Sequence, residues 1–169
     1  MRRLLIVCLV LLFPACGGGK GGPSPDATPT ENSYLSHHGQ VMPLRSALGG
    51  IAFRPFVPAR AIVETALLPA YNGGPDERRN RGIGFEYISA RQAFVLSQWP
   101  GAGMPGPRDL GTIDGCQVTA YDIAGGEGGR QGALWSNGRV VSNLVAAGNA
   151  SNRATFDEAR RLVRLGACR

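Results

Sequence analysis

The spacing of apolar residues changes character along the chain. Ten consecutive apolar residues, Leu4 to Phe13 (LLIVCLVLLF), come first, behind Arg2 and Arg3. From Gly17 to about Ser36 (GGGKGGPSPDATPTENSYLS) there is no apolar period, and glycine, proline and small polar residues dominate. Such a stretch has no face to bury and reads as a flexible tether, with a span of roughly 25 Å for about 20 residues. Beyond it, short alternating runs predict strands as far as Thr155, where the spacing turns helical.

Two apolar stretches open this region, Ile51 to Val57 and Ala61 to Leu68. Pro55 and Pro58 limit the first to an edge or broken strand. Asn72 to Gly82 (NGGPDERRNRG) is a polar turn, after which Ile83, Phe85 and Tyr87 alternate along one face of a strand. In the next strand Phe94 and Leu96 oppose Ala93, Val95 and Trp99, with Ser89-Ala90-Arg91 as a tight connection between the two. Pro100 to Gly115, opening with PGAGMPGP, predicts a loop. Cys116 to Ile123 alternates again, Gly125 to Gly129 turns, and Gln131 to Trp135 follows. Asn137-Gly138 is the strongest hairpin signal of the chain and predicts a type I′ turn, with positive φ at both residues. Its second arm runs through Val140 and Val141 to Asn143, Leu144 and Val145.

Thr155-Phe156-Asp157-Glu158 matches a capping box. Phe156, Ala159, Leu162 and Val163 then share a helical face, while Arg160, Arg161 and Arg164 take the outer side or the electronegative C-terminal end. Gly166 is a natural stop. The pattern predicts one α+β domain over 41–169, an antiparallel sheet of hairpins with a C-terminal helix packed on one face. That length suits one core and is too short for two.

Arg2 and Arg3, the apolar run and the small Ala15 together have the form of an export signal over 1–15. The run is about half of the roughly 20 residues a membrane-spanning helix needs. Phe13-Pro14-Ala15-Cys16-Gly17 resembles the lipobox of bacterial lipoproteins, with Phe13 where leucine is usual and Pro14 also uncommon there. The resemblance implies cleavage before Cys16, a diacylglycerol on its thiol and a fatty acyl group such as palmitate on its amine. Two or more acyl chains anchor stably, so the domain would be held to a bilayer through a lipidated tether, 16–40, without spanning it. Gly17 is not an aspartate-type retention signal, which by analogy favours the outer membrane, beyond export to the periplasm, if the cell is double-membraned. An ordinary secretory signal with an incidental cysteine is the other reading. Further along, Leu134-Trp135-Ser136-Asn137-Gly138-Arg139-Val140-Val141, a loop, and Phe156 to Leu165 resemble the end of a bacterial envelope domain of unknown function. Relatives of that domain accompany anti-sigma factors and sporulation-type lipoproteins. This resemblance implies a sheet-plus-helix module for sensing or binding and brings no catalytic residues.

With Cys8 in the signal and Cys16 lipidated, Cys116 and Cys168 remain, and two such cysteines usually pair in an oxidising compartment. The closed loop would hold about 50 residues and contribute on the order of 4 kcal/mol. Two buried thiols packed as small hydrophobes are the alternative. The formal charge is +6; without Arg2 and Arg3, 18 basic residues become 16 against 12 acidic ones, leaving +4. A modest basic excess suits anionic lipid or polysaccharide, and export argues against a nucleic-acid partner.

Candidate chemistry is sparse. Arg78, Arg79 and Arg81 gather three guanidinium groups in the polar turn and suit an anionic surface, although Asp76 and Glu77 partly neutralise them. His37 and His38 read as a solvated pair at the end of the tether, since a structural zinc site needs four ligands. Gly125 to Arg130 (GGEGGR) lacks the following helix of a phosphate loop and reads as a hairpin tip. Glu86 and Asp122 are the carboxylates placed to approach as an acid–base pair if their strands are neighbours. No GxSxG, SxxK or HExxH occurs. Trp99, Trp135, Phe85, Phe94, Tyr87 and Tyr121 divide between core and rim, or wall a groove. The expectation is a membrane-anchored envelope lipoprotein with a non-catalytic binding or sensing domain, without catalytic residue, metal or cofactor. Its partner would be an envelope protein or an anionic polymer. The alternative is a lipid-holding domain with an apolar groove between sheet and helix. A carboxylate-dependent hydrolase comes third.

Overall fold

Alternation along the strands sorts side chains onto two faces of one antiparallel sheet, and each face is covered differently. The computed structural model describes residues 34–71, 75, 77–103, 105–123, 129–148 and 151–169. Cys16, the signal, the tether up to residue 33 and the glycine-rich tip 124–128 lie outside the described residues. The strands are β1 (Gln40–Val41), β2 (Ile62–Ala70), β3 (Arg81–Ser89), β4 (Gln92–Pro100), β5 (Arg108–Ile113), β6 (Cys116–Asp122), β7 (Gln131–Ser136) and β8 (Val140–Ala146). Their order across the sheet is β1-β2-β3-β4-β8-β7-β6-β5. Two four-stranded meanders therefore meet at a seam between β4 and β8, registered from Phe94 opposite Ala146 to Pro100 opposite Val140. The connection from β4 to β5 crosses the sheet to its far edge, and the chain returns strand by strand to that seam.

The inner face carries Ile83, Phe85, Tyr87, Leu96, Trp135 and Leu144, all buried. Helix α3 (Asn152–Leu162) lies on it with Phe156, Ala159 and Leu162 turned inward, followed by a wider π turn, Val163–Ala167. The domain is α+β, with its C-terminal helix packed on one face of the sheet. A disulfide between Cys116 and Cys168, Cα atoms 6.2 Å apart, joins the start of β6 to the chain just past that turn. Gly166 ends the turn at φ 99°, a conformation that a Cβ would disfavour.

The remainder of the inner face is closed by α2 (Leu44–Gly49) and the segment after it, which inserts Ile51, Phe53 and Phe56. Ile51 to Val57, expected as a broken strand, forms none. Its prolines cannot donate to a ladder, and the segment docks instead through a side chain. The Phe56 amide donates to Gln98 Oε1 at 2.9 Å, and Gln98 Nε2 donates to the Phe56 carbonyl at 2.7 Å. Residues 34–40, assigned from sequence to the end of the tether, belong to the fold. Helix α1 (Tyr34–His38) buries Leu35 on the outer face against Ala66, Leu68, Val95 and Val145. Gly84 makes the seat, because a Cβ there would stand 2.5 Å from Leu35 Cδ2.

Three further expectations are corrected. The stretch 100–115 is not loop throughout, since β5 occupies Arg108–Ile113. It bulges at Leu110, where the Gly111 amide donates to Asp109 Oδ1, and it returns through Asp114-Gly115, both at positive φ. The Asn137-Gly138 turn is not type I′. Only Gly138 has positive φ (82°), and Asn137 Oδ1 accepts from the Arg139 and Val140 amides instead. Finally, Thr155 is not the N-cap of α3. Ser151 is, its hydroxyl accepting from the Ala154 amide, while Thr155 lies buried one turn inside. Glu158 is thereby freed from a capping role and reaches the sheet.

Candidate functional site

Glu158 is the most buried carboxylate of the helix, and it is saturated. It accepts from Tyr87 Oη at 3.0 Å, Ser89 Oγ at 3.1 Å, Arg161 Nε at 2.7 Å and Arg161 Nη2. Burial, with the Glu158 charge beside it, pushes the Tyr87 phenol well above its ordinary value, so the phenol remains a donor. The Glu158 bond in turn holds Arg161 more firmly in its charged form. The cluster ties α3 to the β3–β4 hairpin, and every carboxylate oxygen is engaged. It has the build of a structural network rather than an acid or base facing a substrate.

The residues singled out from sequence do not converge. Arg78 Nε donates to the Ile51 carbonyl at 3.1 Å and braces the segment after α2. Arg79 pairs with Glu77, and Arg81 opens β3 opposite Ala70. Arg78 and Arg79 thus engage different partners. Glu86 and Asp122 are on β3 and β6, separated by β4, β8 and β7, four strand spacings or roughly 19 Å. They cannot act as the acid–base pair that neighbouring strands would allow. Asp122 instead accepts from Gln131 Nε2 at 2.8 Å, and Glu86 stands opposite Glu64. His37 and His38 lie on α1, where the His38 ring rests 4.4 Å from that of Tyr34. Among the described residues no three His, Cys, Asp or Glu side chains gather as a metal site.

The concave ground is on the outer face. The chain crossing from β4 to β5 passes over it, with Gly103 against Val141 and the Gly106 amide donating to Thr119 Oγ1 at 2.7 Å. Beneath this strap lies a hollow of about 170 Å³, bounded by Pro105, Gln117, Leu134 and Val141. A second, of about 220 Å³, opens between α1 and the end of β2. Tyr34, Tyr71 and Trp99 wall it, His38 adds an edge, and Ser97 and Asn143 bring polar groups from β4 and β8. Trp99 is fixed by its Nε1 donating to the Pro69 carbonyl at 3.0 Å and by lying on Gly82, with the Tyr71 ring 5.5 Å away. Tyr121 Oη donates to Asn143 Oδ1 at 2.7 Å, which sets the carboxamide orientation. Burial pushes the Tyr121 phenol up to about 12, so this donor persists at neutral pH.

Sequence reasoning placed Trp99 and Tyr121 at core or rim but missed Tyr34, Tyr71, Ser97 and Asn143. No local signal marks them, because they come from α1, β4, β8 and the residue after β2, which only the sheet order brings together. Between sheet and α3, Tyr87, Phe94, Trp135, Phe156 and Leu162 pack into one buried cluster. No helix among the described residues is long and apolar enough to cross a membrane. Comparison of the chain with protein-family models, with curated proteins and with solved structures gave no match.

Proposed function

We propose that the chain is a bacterial envelope lipoprotein, held to a bilayer by a lipidated Cys16, whose domain is a non-catalytic binding or sensing module. The lipobox-like Phe13 to Gly17 supports the anchor. The observation that carries the binding role is the outer-face hollow, in which aromatic walls, with Trp99 fixed by a hydrogen bond, surround a small number of polar groups, with Asn143 held in orientation. The packed interface between sheet and helix supports binding at the outer face over lipid carriage between the layers.

The anchor is tested by labelling cells with radioactive palmitate, comparing the wild type with Cys16→Ser. Label and membrane retention should both disappear in the variant, and equal labelling refutes the anchor. Native mass spectrometry of the protein taken from its own envelope tests the binding role. A stoichiometric small ligand supports it, whereas turnover of that ligand by the purified protein would make the domain an enzyme.

A further inference from the structure

We propose that the hollow between α1 and the end of β2 is a subsite for one uncharged pyranose ring of an envelope glycan. The inference deepens the binding-module reading and rests on it. Size is the first constraint. At about 220 Å³ the hollow is smaller than the roughly 300–1,000 Å³ of sites that enclose a whole drug-sized ligand, so it takes one ring of something larger. Chemistry is the second. A pyranose offers C–H groups with partial positive charge on its faces and hydroxyls, each both donor and acceptor, around its edge. The negative face of an aromatic ring attracts the former, and Trp99 and Tyr71 supply such rings. Ser97, with a hydroxyl, and Asn143, with a carboxamide whose oxygen is already held by Tyr121, answer the latter.

Charge is the third constraint. Among the described residues no Asp, Glu, Lys or Arg lines the hollow, and burial raises the Tyr34 phenol, so the His38 imidazole at its edge is the one side chain of the lining that can carry a positive charge. Arg130 stands near enough to Tyr34 to offset part of that burial effect, which makes an acidic sugar the competing ligand. Preorganisation is the fourth. The indole held by Pro69 and the amide held by Tyr121 need not be ordered on binding, which reduces the entropic cost of association. Tyr71 is 47% exposed and makes the open wall through which a chain of sugars can enter and leave.

The experiment uses the full-length protein in a zwitterionic detergent, which carries no sugar. The tetramers of N-acetylglucosamine, glucose and galacturonate serve as probes. Trp135 is 2% exposed and borders the other hollow, so a fluorescence change that Gln117→Ala leaves unaltered reports Trp99. At least one neutral tetramer should give a saturable change that Tyr71→Ala and Asn143→Ala each weaken by about tenfold or more. Tyr71→Trp should restore binding, and Gln117→Ala, in the other hollow, should leave it unaltered. Unchanged circular dichroism of Tyr71→Ala, an exposed position, separates lost binding from lost folding. No saturable response to either neutral tetramer overturns the proposal, as does a response indifferent to Tyr71 and Asn143. Tighter binding of the galacturonate tetramer, lost in Arg130→Ala, also overturns it in favour of an acidic ligand. If the sugars fail while native mass spectrometry finds another ligand, the subsite falls and the binding module stands. Absence of both removes the module as well.

Discussion

Ala90 and Arg91 adopt φ values of 48° and 65°, and they do so at the tight connection between β3 and β4. This is the two-residue turn with positive φ at both positions that asparagine and glycine favour and most side chains resist. The register leaves no slack, since Ser89 pairs with Gln92 and each subsequent pair is in step to Ile83 opposite Gln98. Left-handed backbone costs an ordinary L-residue roughly 1–2 kcal/mol, so the hairpin carries local strain imposed by the ladder on either side. Ala90→Asn with Arg91→Gly should relieve part of it. We expect a gain of about 1 kcal/mol, after the extra unfolded-chain entropy of glycine, seen as a higher urea midpoint with an unchanged slope. A midpoint at or below the wild-type value would show that the turn is not strained. Asn137-Gly138 shows the converse. There the dipeptide with the stronger signal spends its asparagine on side-chain bonds to Arg139 and Val140, and the chain reverses with positive φ at glycine alone.

At the scale of elements, α3 is held to the sheet in three ways of different kind. Phe156, Ala159, Leu162 and Val163 bury an apolar face, and Glu158 engages Tyr87 and Ser89. The disulfide closes a separation of 52 residues between β6 and the helix end, where Trp135 Nε1 also donates to the Ala167 carbonyl at 3.1 Å. The first two contacts survive reduction, so the helix should remain docked without the bond. Replacing both cysteines with serine should cost about 4 kcal/mol through the freed unfolded chain. The urea midpoint should fall by the corresponding amount, and amide exchange should quicken first at Val163–Ala167. A midpoint unchanged from wild type would mean that the disulfide adds nothing. On the opposite face α1 is held chiefly by Leu35 in its seat over Gly84, which is a smaller attachment for a smaller element.

Over the whole molecule, phenols stand on both faces of the sheet, the buried Tyr87 inward and the half-buried Tyr121 outward, and desolvation raises both from the ordinary 10.0. A phenol raised in the folded state binds its proton more tightly there than in the unfolded chain. Its contribution is therefore complete below pH 10 and is lost as pH climbs towards the folded value, about 12 for Tyr121. Unfolding free energy should thus fall above pH 10 by about 1.4 kcal/mol per pH unit for each fully differing phenol. Tyr87→Phe should lower the alkaline slope by one such share, which denaturation at a series of pH values reads directly. A slope equal in wild type and variant would remove Tyr87 from the account. Because the sheet is one body across the β4–β8 seam, the loss should appear as a single transition rather than as separate melting of the two meanders.

Period-two alternation in Ile83–Tyr87 and Ala93–Trp99 and helical spacing in Phe156–Val163 are legible in the sequence, because each depends on residues a few positions apart. The α+β class followed from them, and the cysteine count singled out Cys116 and Cys168. Strand β5 was also within reach, since Asp114-Gly115 between Ile113 and Cys116 is a hairpin signal, but glycine and proline around it obscured the strand. What local spacing could not hold was the strand order. Pairing β4 with β8 joins residues some 40 to 50 positions apart, and that choice rests on complementary faces summed over the entire sheet. The same order parts Glu86 from Asp122, and it brings Tyr71, Trp99 and Asn143 to one hollow. The chain by itself therefore determined its elements and their buried faces, whereas the tertiary structure decided which side chains meet, because non-local pairing alone sets those distances.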